Sequence, residues 1–341
     1  MNKILAFIFW FLICLPAFSQ DKGENYDSSY YVELQEHMVL RLYYSKKYTD
    51  LVIGSTQGSD SYTYLPNSGN NLGIGFTYQN FTLNLAGPFS FLNPNRQKDF
   101  PKYIDLQVHI YPQKMIIDLF GQFYDGYTLA AEQLQNSDQN YLRKDIKVRK
   151  IGANYNYLFQ GDKLSLEASL NQSSIQKKSA ASLMAGFEVY GGSIKGDSLI
   201  LPSIENQREI NFKESSYFQF GPNVGAAGTL VFGGGFFLTG VASAGLNLGT
   251  SGFNNGVSQN KFGLVPSYLL RGFLGYNGEK FSINANYVYK NNRLIRQDPF
   301  QTDLITGNYR INIVYKIRPS EKFKNGFNKI NPIKLIEKVL N

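Results

Sequence analysis

The residues of this chain whose types and spacing suit chemistry gather on one face of one short region. Asp105, Gln107 and His109 alternate with Ile104, Leu106, Val108 and Ile110, and Asp118 and Gln122 recur a few positions later among Ile117, Leu119 and Phe123. A two-residue turn at Pro112-Gln113 would fold the two runs into a hairpin. His109 would then face Ile116, Gln107 would face Asp118, and Asp118 would lie diagonally within reach of His109. An imidazole beside a carboxylate can orient a nucleophile or bind a metal. The remaining equipment is missing from the sequence: no serine stands at nucleophile-elbow spacing, no HExxH occurs, and His37 and His109 are the only histidines. No catalytic residue, metal ligand or cofactor is assigned. The plainer reading is a hydrogen-bonded network in an enclosed interior. There Asp105, Asp118, Glu167 and Glu188 would find partners among Arg41, Lys47, Arg271 and Arg310. The expected site is thus a luminal polar cluster of Asp105, Gln107, His109, Asp118, Gln122, Arg41 and Lys47.

An enclosed polar interior needs walls, and the sequence supplies them as strands of period two. Leu72, Ile74, Phe76 and Tyr78 alternate with Gly73, Gly75 and Thr77. Phe281, Ile283, Ala285 and Tyr287 alternate with Ser282, Asn284 and Asn286. Tyr309, Ile311, Ile313 and Tyr315 alternate with Arg310, Asn312 and Lys316. The same pattern marks 37–47, 81–85, 104–111, 115–123, 147–159, 164–171, 182–190, 217–230, 236–248 and 262–276. Tyrosines end several apolar faces (Tyr44, Tyr78, Tyr276, Tyr289, Tyr315), where an aromatic girdle would lie. No second long apolar run is available for a spanning helix. The fold expected is an all-β chain forming a single antiparallel transmembrane β-barrel of about 12–14 strands over residues 37–318. The parity of the count is unsettled around 173–212. Short turns (79–80, 112–113, 161–162, 233–235, 277–279) alternate with longer polar stretches (46–70, 89–101, 128–145, 191–214, 250–261, 292–306), as turns on one side of a membrane and loops on the other would. Gly73-x-Gly75 and Gly233-Gly234-Gly235 lack the Lys-Ser/Thr of a phosphate loop and read as close approaches and turns. A soluble periplasmic β-sandwich that binds a ligand also alternates, and is the competing architecture.

The first residues set the expected compartment. Lys3, an apolar run over 4–15, and Ala17-Phe18-Ser19 form a signal peptide cut after Ser19. Cys14, the one cysteine, lies inside it, so the mature chain has no disulfide or thiolate chemistry. Residues 20–36 read as a periplasmic leader and 319–341 as a basic periplasmic tail. In that tail Ile333, Leu335, Ile336, Val339 and Leu340 suit an amphipathic helix touching headgroups or an envelope protein partner. The formal net charge of +8 would suit nucleic acid, but export excludes it. Outer-membrane lipid and lipopolysaccharide are the better partners, with Arg143, Lys144, Lys147, Arg149 and Lys150 as an outer-rim patch.

Residues 102–111 (KYIDLQVHIY) and 117–127 (IDLFGQFYDGY) resemble the domain of unknown function 4421 family, as do 41–49 (RLYYSKKYT), 71–78 (NLGIGFTY) and 176–180 (QKKSA). The resemblance implies a Gram-negative envelope protein, proposed to be an outer-membrane barrel, and carries no activity. Many barrels end on an aromatic residue in the last strand, whereas this chain runs on beyond Tyr315. The functions expected are therefore a structural, pore-forming or partner-binding outer-membrane barrel and, as alternatives, a barrel hydrolase or acyltransferase using His109 and Asp118 on envelope lipid or glycan, or the sandwich.

Overall fold

The computed structural model describes residues 26–34, 36–56, 61–78, 81–94, 103–111, 113–134, 138–201, 212–254, 258–298 and 300–330. Its strands are β1 (Tyr31–Glu33), β2 (Met38–Ser55), β3 (Ser61–Pro66), β4 (Asn70–Tyr78), β5 (Phe81–Pro88), β6 (Ile104–Ile110), β7 (Met115–Leu129), β8 (Tyr141–Leu158), β9 (Ser174–Gln176), β10 (Ala180–Lys195), β11 (Glu214–Val231), β12 (Phe236–Asn254), β13 (Ser258–Asn277), β14 (Phe281–Arg293) and β15 (Phe300–Ile317). Among the described residues there are also two short α-helices, α1 (Glu167–Leu170) and α2 (Glu321–Ile330), and three single-turn 3-10 helices.

The sheet closes on itself. In the order β2-β15-β14-β13-β12-β11-β10-β8-β7-β3-β2 every neighbour is paired, so ten antiparallel strands form the ring. The pairing of β15 with β2, from Phe300↔Ser55 to Ile317↔Met38, joins the last strand to the first. That closure overturns the sandwich alternative. The sheet holds thirteen strands because β4, β5 and β6 are added in the half of the wall nearest the termini. There β4 takes over from β3 beside β2, β5 pairs β4, and β6 pairs β7. The expected 12–14 strands thus correspond to a ten-strand ring that widens in its lower half. β3 is not among the expected segments, and of the stretch 173–212 where the parity is unsettled, 202–211 lie outside the described residues.

One expected strand is absent. Residues 164–171, apolar at every second position, fold as a loop and α1 inside the barrel mouth. Leu164, Leu166 and Ala168 are buried against Tyr111, Ile116, Leu158, Met184, Ala227 and Val241. Luminal side chains hold this plug by its backbone: Asn277 donates to the Ala168 and Ser174 carbonyls, Asn284 to that of Ser169, and Arg41 to that of Asn171. Outside it β1 pairs β9, so the leader region contributes the plug's cover. The space left between them is about 10 Å³, on the order of one water.

At the far end the lumen is filled by an aromatic and aliphatic core. Phe212 packs on Phe253 and Phe300, among Leu51, Tyr64, Ile194, Leu294 and Leu304. The chain after β10 is drawn inward, since Tyr64 donates to the Ile200 carbonyl (2.6 Å) and Arg143 to those of Leu199 and Ile200. The strands run longer than the sequence pattern suggests, because stretches read as loops are strand: β2 continues to Ser55, β3 lies within 46–70, and β12 and β13 nearly meet.

Tyrosine and glycine are matched across strands. Directly opposite pairs are Tyr43/Gly73, Tyr48/Gly307, Tyr190/Gly152 and Tyr217/Gly192, and in each the ring lies where a Cβ on the glycine would be. Cross-strand pairs of this kind contribute roughly 0.2–1 kcal/mol each and fix register. Outside, α2 lays Phe323 and Phe327 against Phe76 and Tyr78 on the outer face of β4. The residues expected to make the tail's amphipathic helix, 333–340, lie outside the described residues, as does the expected signal peptide.

Candidate functional site

The hairpin of β6 and β7 has a register two residues from the one expected. Its connection spans 111–114, so His109 stands directly opposite Asp118 and Asp105 opposite Gln122. A slip of two preserves the face of every side chain, which is why Asp105, Gln107, His109, Asp118 and Gln122 still point inward. His109 Nδ1 and Asp118 Oδ1 are 2.6 Å apart. The other Asp118 oxygen is shared by Arg271, in a very close ion pair, and by Asn154 Nδ2 at 3.4 Å. Arg271 also donates to the Tyr111 hydroxyl at 2.9 Å. Asp118 is fully buried and the Arg271 side chain is 2% exposed, so the pair sits in an enclosed interior.

A second group forms around Asp105. Its Oδ2 accepts from Gln122 Nε2 (3.1 Å) and the Tyr124 hydroxyl (2.6 Å), and Lys47 lies 3.7 Å from Oδ1. Thr306 donates to Gln122 Oε1, and Lys150 Nζ donates to Thr306. A third group is Glu188 with Lys290 (2.5 Å), Asn247 and Ser267. The Lys150 and Lys290 ammoniums both lie over the Tyr190 ring, 5.4 and 4.8 Å from its centre. Carboxylates on β6, β7 and β10 meet cations on β2, β13 and β14, which is how an enclosed lumen carries charge at tolerable cost.

The expected cluster is thus brought together only in part. Lys47 joins Asp105 and Gln122, and His109 joins Asp118. Gln107 lies between, opposite Phe120. Arg41 stands apart, donating to Asn84 Oδ1 (3.0 Å) and the Asn171 carbonyl (2.7 Å) rather than to a carboxylate. Arg310 lies 3.8 Å over the Tyr43 ring. Lys290, Lys150, Tyr124 and Asn154 belong to the network beyond the expected cluster. The sequence shows their inward parity, but their meeting depends on closure. The expected rim patch is split, because Arg143 and Lys150 are buried inside while Lys144 and Lys147 are exposed. Arg143 pairs with Asp145 there.

Glu167 in the plug bonds Ser173 and Ser174 rather than a cation. Burial, and secondarily the charge of Glu33, pushes its carboxyl up to about 7. Asp118 has one oxygen on the His109 ring and the other on the Arg271 guanidinium and the Asn154 amide, so the cluster ties β6, β7, β8 and β13 together.

The chain matches the family described as domain of unknown function (DUF4421) over residues 25–317. No curated protein sequence matches it. Similar solved structures include the outer membrane protease OmpT from Escherichia coli, at 9% identity and TM-score 0.40, covering 84% of this chain and 98% of that one. The beta domain of the Bordetella autotransporter BrkA is similar at 11% identity and TM-score 0.33, covering 82% and 98%. An outer membrane channel from Pseudomonas putida F1 is similar at 9% identity and TM-score 0.25, covering 88% and 100%. The barrel described above rests on its own strand pairing.

Proposed function

Because the chain belongs to the domain of unknown function 4421 family, whose description carries no activity, we propose from its own residues that it is an exported outer-membrane β-barrel with an occluded lumen. It acts as a structural or partner-binding element of a Gram-negative envelope rather than as a diffusion pore. The observation that carries this reading is the inversion of the two faces. On β13 the outward residues Phe262, Leu264, Leu270 and Leu274 are 51–68% exposed, while the inward Ser267 and Arg271 are 1–5% exposed. The same inversion recurs on β14, where Phe281 and Ile283 face out and Ser282 and Asn284 are buried. A water-soluble protein rarely exposes a contiguous apolar patch beyond a few hundred Å². A belt around a closed barrel is what hydrocarbon requires. Against a pore stand the plug of α1 at one mouth and the Phe212, Phe253 and Phe300 core at the other.

The test is migration and partitioning. Refolded protein should run faster on a gel unboiled than boiled, and should float with phospholipid vesicles. Identical migration together with recovery in the aqueous fraction would overturn the membrane reading. The enzyme alternative has a narrower footing, the His109–Asp118 contact. It predicts that His109→Ala abolishes a hydrolase or acyltransferase activity on envelope lipid while the gel shift persists. In this reading Lys144 and Lys147, exposed beside the far rim, meet lipopolysaccharide phosphates, and the tail that begins with α2 meets an envelope protein partner.

A further inference from the structure

The wall is not paired everywhere. Among the described residues β5 pairs only β4 and β6 pairs only β7, so the two strands face each other with open edges. The seam is closed above, where Lys47 reaches both the Asp105 carboxylate and its carbonyl and the Tyr103 hydroxyl accepts from Gly69 and Asn71. It runs along the seven residues of β6, roughly 20 Å at about 3.4 Å per residue. On β5, Asn84 and Ala86, which belong to the inward face, are exposed like the outward Leu83 and Leu85. That is the signature of a strand standing beside an opening.

Two features meet at this edge. The outer face of β2, β4, β5 and β15 forms an open apolar groove of about 470 Å³, lined by Leu40, Leu42, Ile74, Phe76, Leu83 and Leu85 among others. Around the free edge of β5, on the inner face, sits Arg41. It is 4% exposed, its bonds go to the neutral Asn84 and Asn171 oxygens, and its Nε is buried without a hydrogen-bond partner among the described residues. Arg310, over the neighbouring Tyr43 ring, likewise has a buried Nε without a partner among those residues. The other charged groups nearby are already matched, Lys47 with Asp105 and Asp118 with Arg271. Two enclosed guanidiniums without a carboxylate are costly unless an anion joins them.

We propose that the β5–β6 seam is a lateral binding site for a single-chain anionic amphiphile. Its acyl chain lies in the outer apolar groove, and its head turns round the edge of β5 to Arg41 and Arg310. A guanidinium offers a bidentate fork to carboxylate or phosphate, which selects the head by charge and shape. The strand β5 is a single strand wide, about 4.8 Å from its neighbour, so one bend of the chain connects the two faces. This inference rests on the membrane reading given above.

The test uses the full chain with Trp10→Phe and Leu85→Trp, refolded into bilayers of uncharged lipid. Dibrominated stearate, dibrominated stearyl phosphate and dibrominated stearyl alcohol are the quenchers. At least one anionic probe should quench the fluorescence of the introduced indole saturably, at a concentration on the order of tenfold below the alcohol. Whichever head acts at the lower concentration identifies the anion. Arg41→Gln should erase the preference and Arg41→Lys should keep part of it. Should Arg41→Gln lose the heat-dependent gel shift, Arg310→Gln carries the test. Equal quenching by all three probes in folded protein would overturn the site and leave the groove as ordinary lipid contact. Failure of the membrane reading would show separately, as protein that does not float with vesicles whatever the probe.

Discussion

Replacing Asp118 by alanine measures whether the lumen is dry. The carboxylate is fully buried and ties His109, Asn154 and the 2%-exposed Arg271 together. Its removal strands the Arg271 guanidinium, leaving it the Tyr111 hydroxyl at 2.9 Å. Breaking one partner from a buried pair costs about 3–5 kcal/mol, whereas the same pair in a water-filled channel would contribute about 0–1 kcal/mol. With a urea slope of about 3 kcal/mol/M, a loss of that size lowers the unfolding midpoint by roughly 1–1.7 M. The assay is the fraction of heat-shifted protein on gels across a urea series in detergent. The companion variant Asp118→Leu with Arg271→Met removes both charges and should recover most of the loss, because the cost lies in the unpaired charge. A midpoint shift below about 0.3 M for the single variant, equivalent to under about 1 kcal/mol at that slope, would refute the dry lumen.

Two further predictions test the plug and the wall. Glu167, with its carboxyl raised from 4.5 to about 7 by burial and by Glu33, takes up a proton on folding between those values. Plug stability therefore falls as pH rises through that window, and Glu167→Gln should flatten the profile and add on the order of 3 kcal/mol above it. Hydrogen exchange of residues 164–176 against pH reads this out, and an unchanged profile in the variant would sink it. In the wall, Gly186→Ala should abolish refolding because its Cβ would fall on the Tyr155 carbonyl and the Asn156 backbone, while Gly240→Ala, with nothing within 4 Å, should leave the gel shift within error of the parent. Equal behaviour of the two would contradict the strand spacing.

Much of the wall is legible in the sequence because period two survives errors of register. The expected alignment of Gln107 to Asp118 is off by two residues, yet every inward residue stays inward. The same periodicity misleads at 164–171. Leu164, Leu166 and Ala168 are buried, but against the inside of the wall, and alternation alone does not say which side of a sheet supplies the contact. The long-range partners are least legible. Arg271 meets Asp118 across 153 residues and Lys290 meets Glu188 across 102, and only the shear of the closed ring brings them level. The open edge between β5 and β6 has no sequence signal of its own, since Leu83-Asn84-Leu85 and Leu106-Gln107-Val108 alternate like any paired strand. Nor does the basic run in β8 announce its division, because Arg143 and Lys150 turn inward only once the strand forms.

A barrel that spans a bilayer and is stoppered at both mouths should pass no steady ion current. Planar-bilayer recording on protein whose gel shift confirms the folded barrel tests this most directly. The expected record is a baseline free of stepwise conductance in molar salt at moderate voltage. Steady, ohmic steps from the intact chain would contradict the occluded lumen.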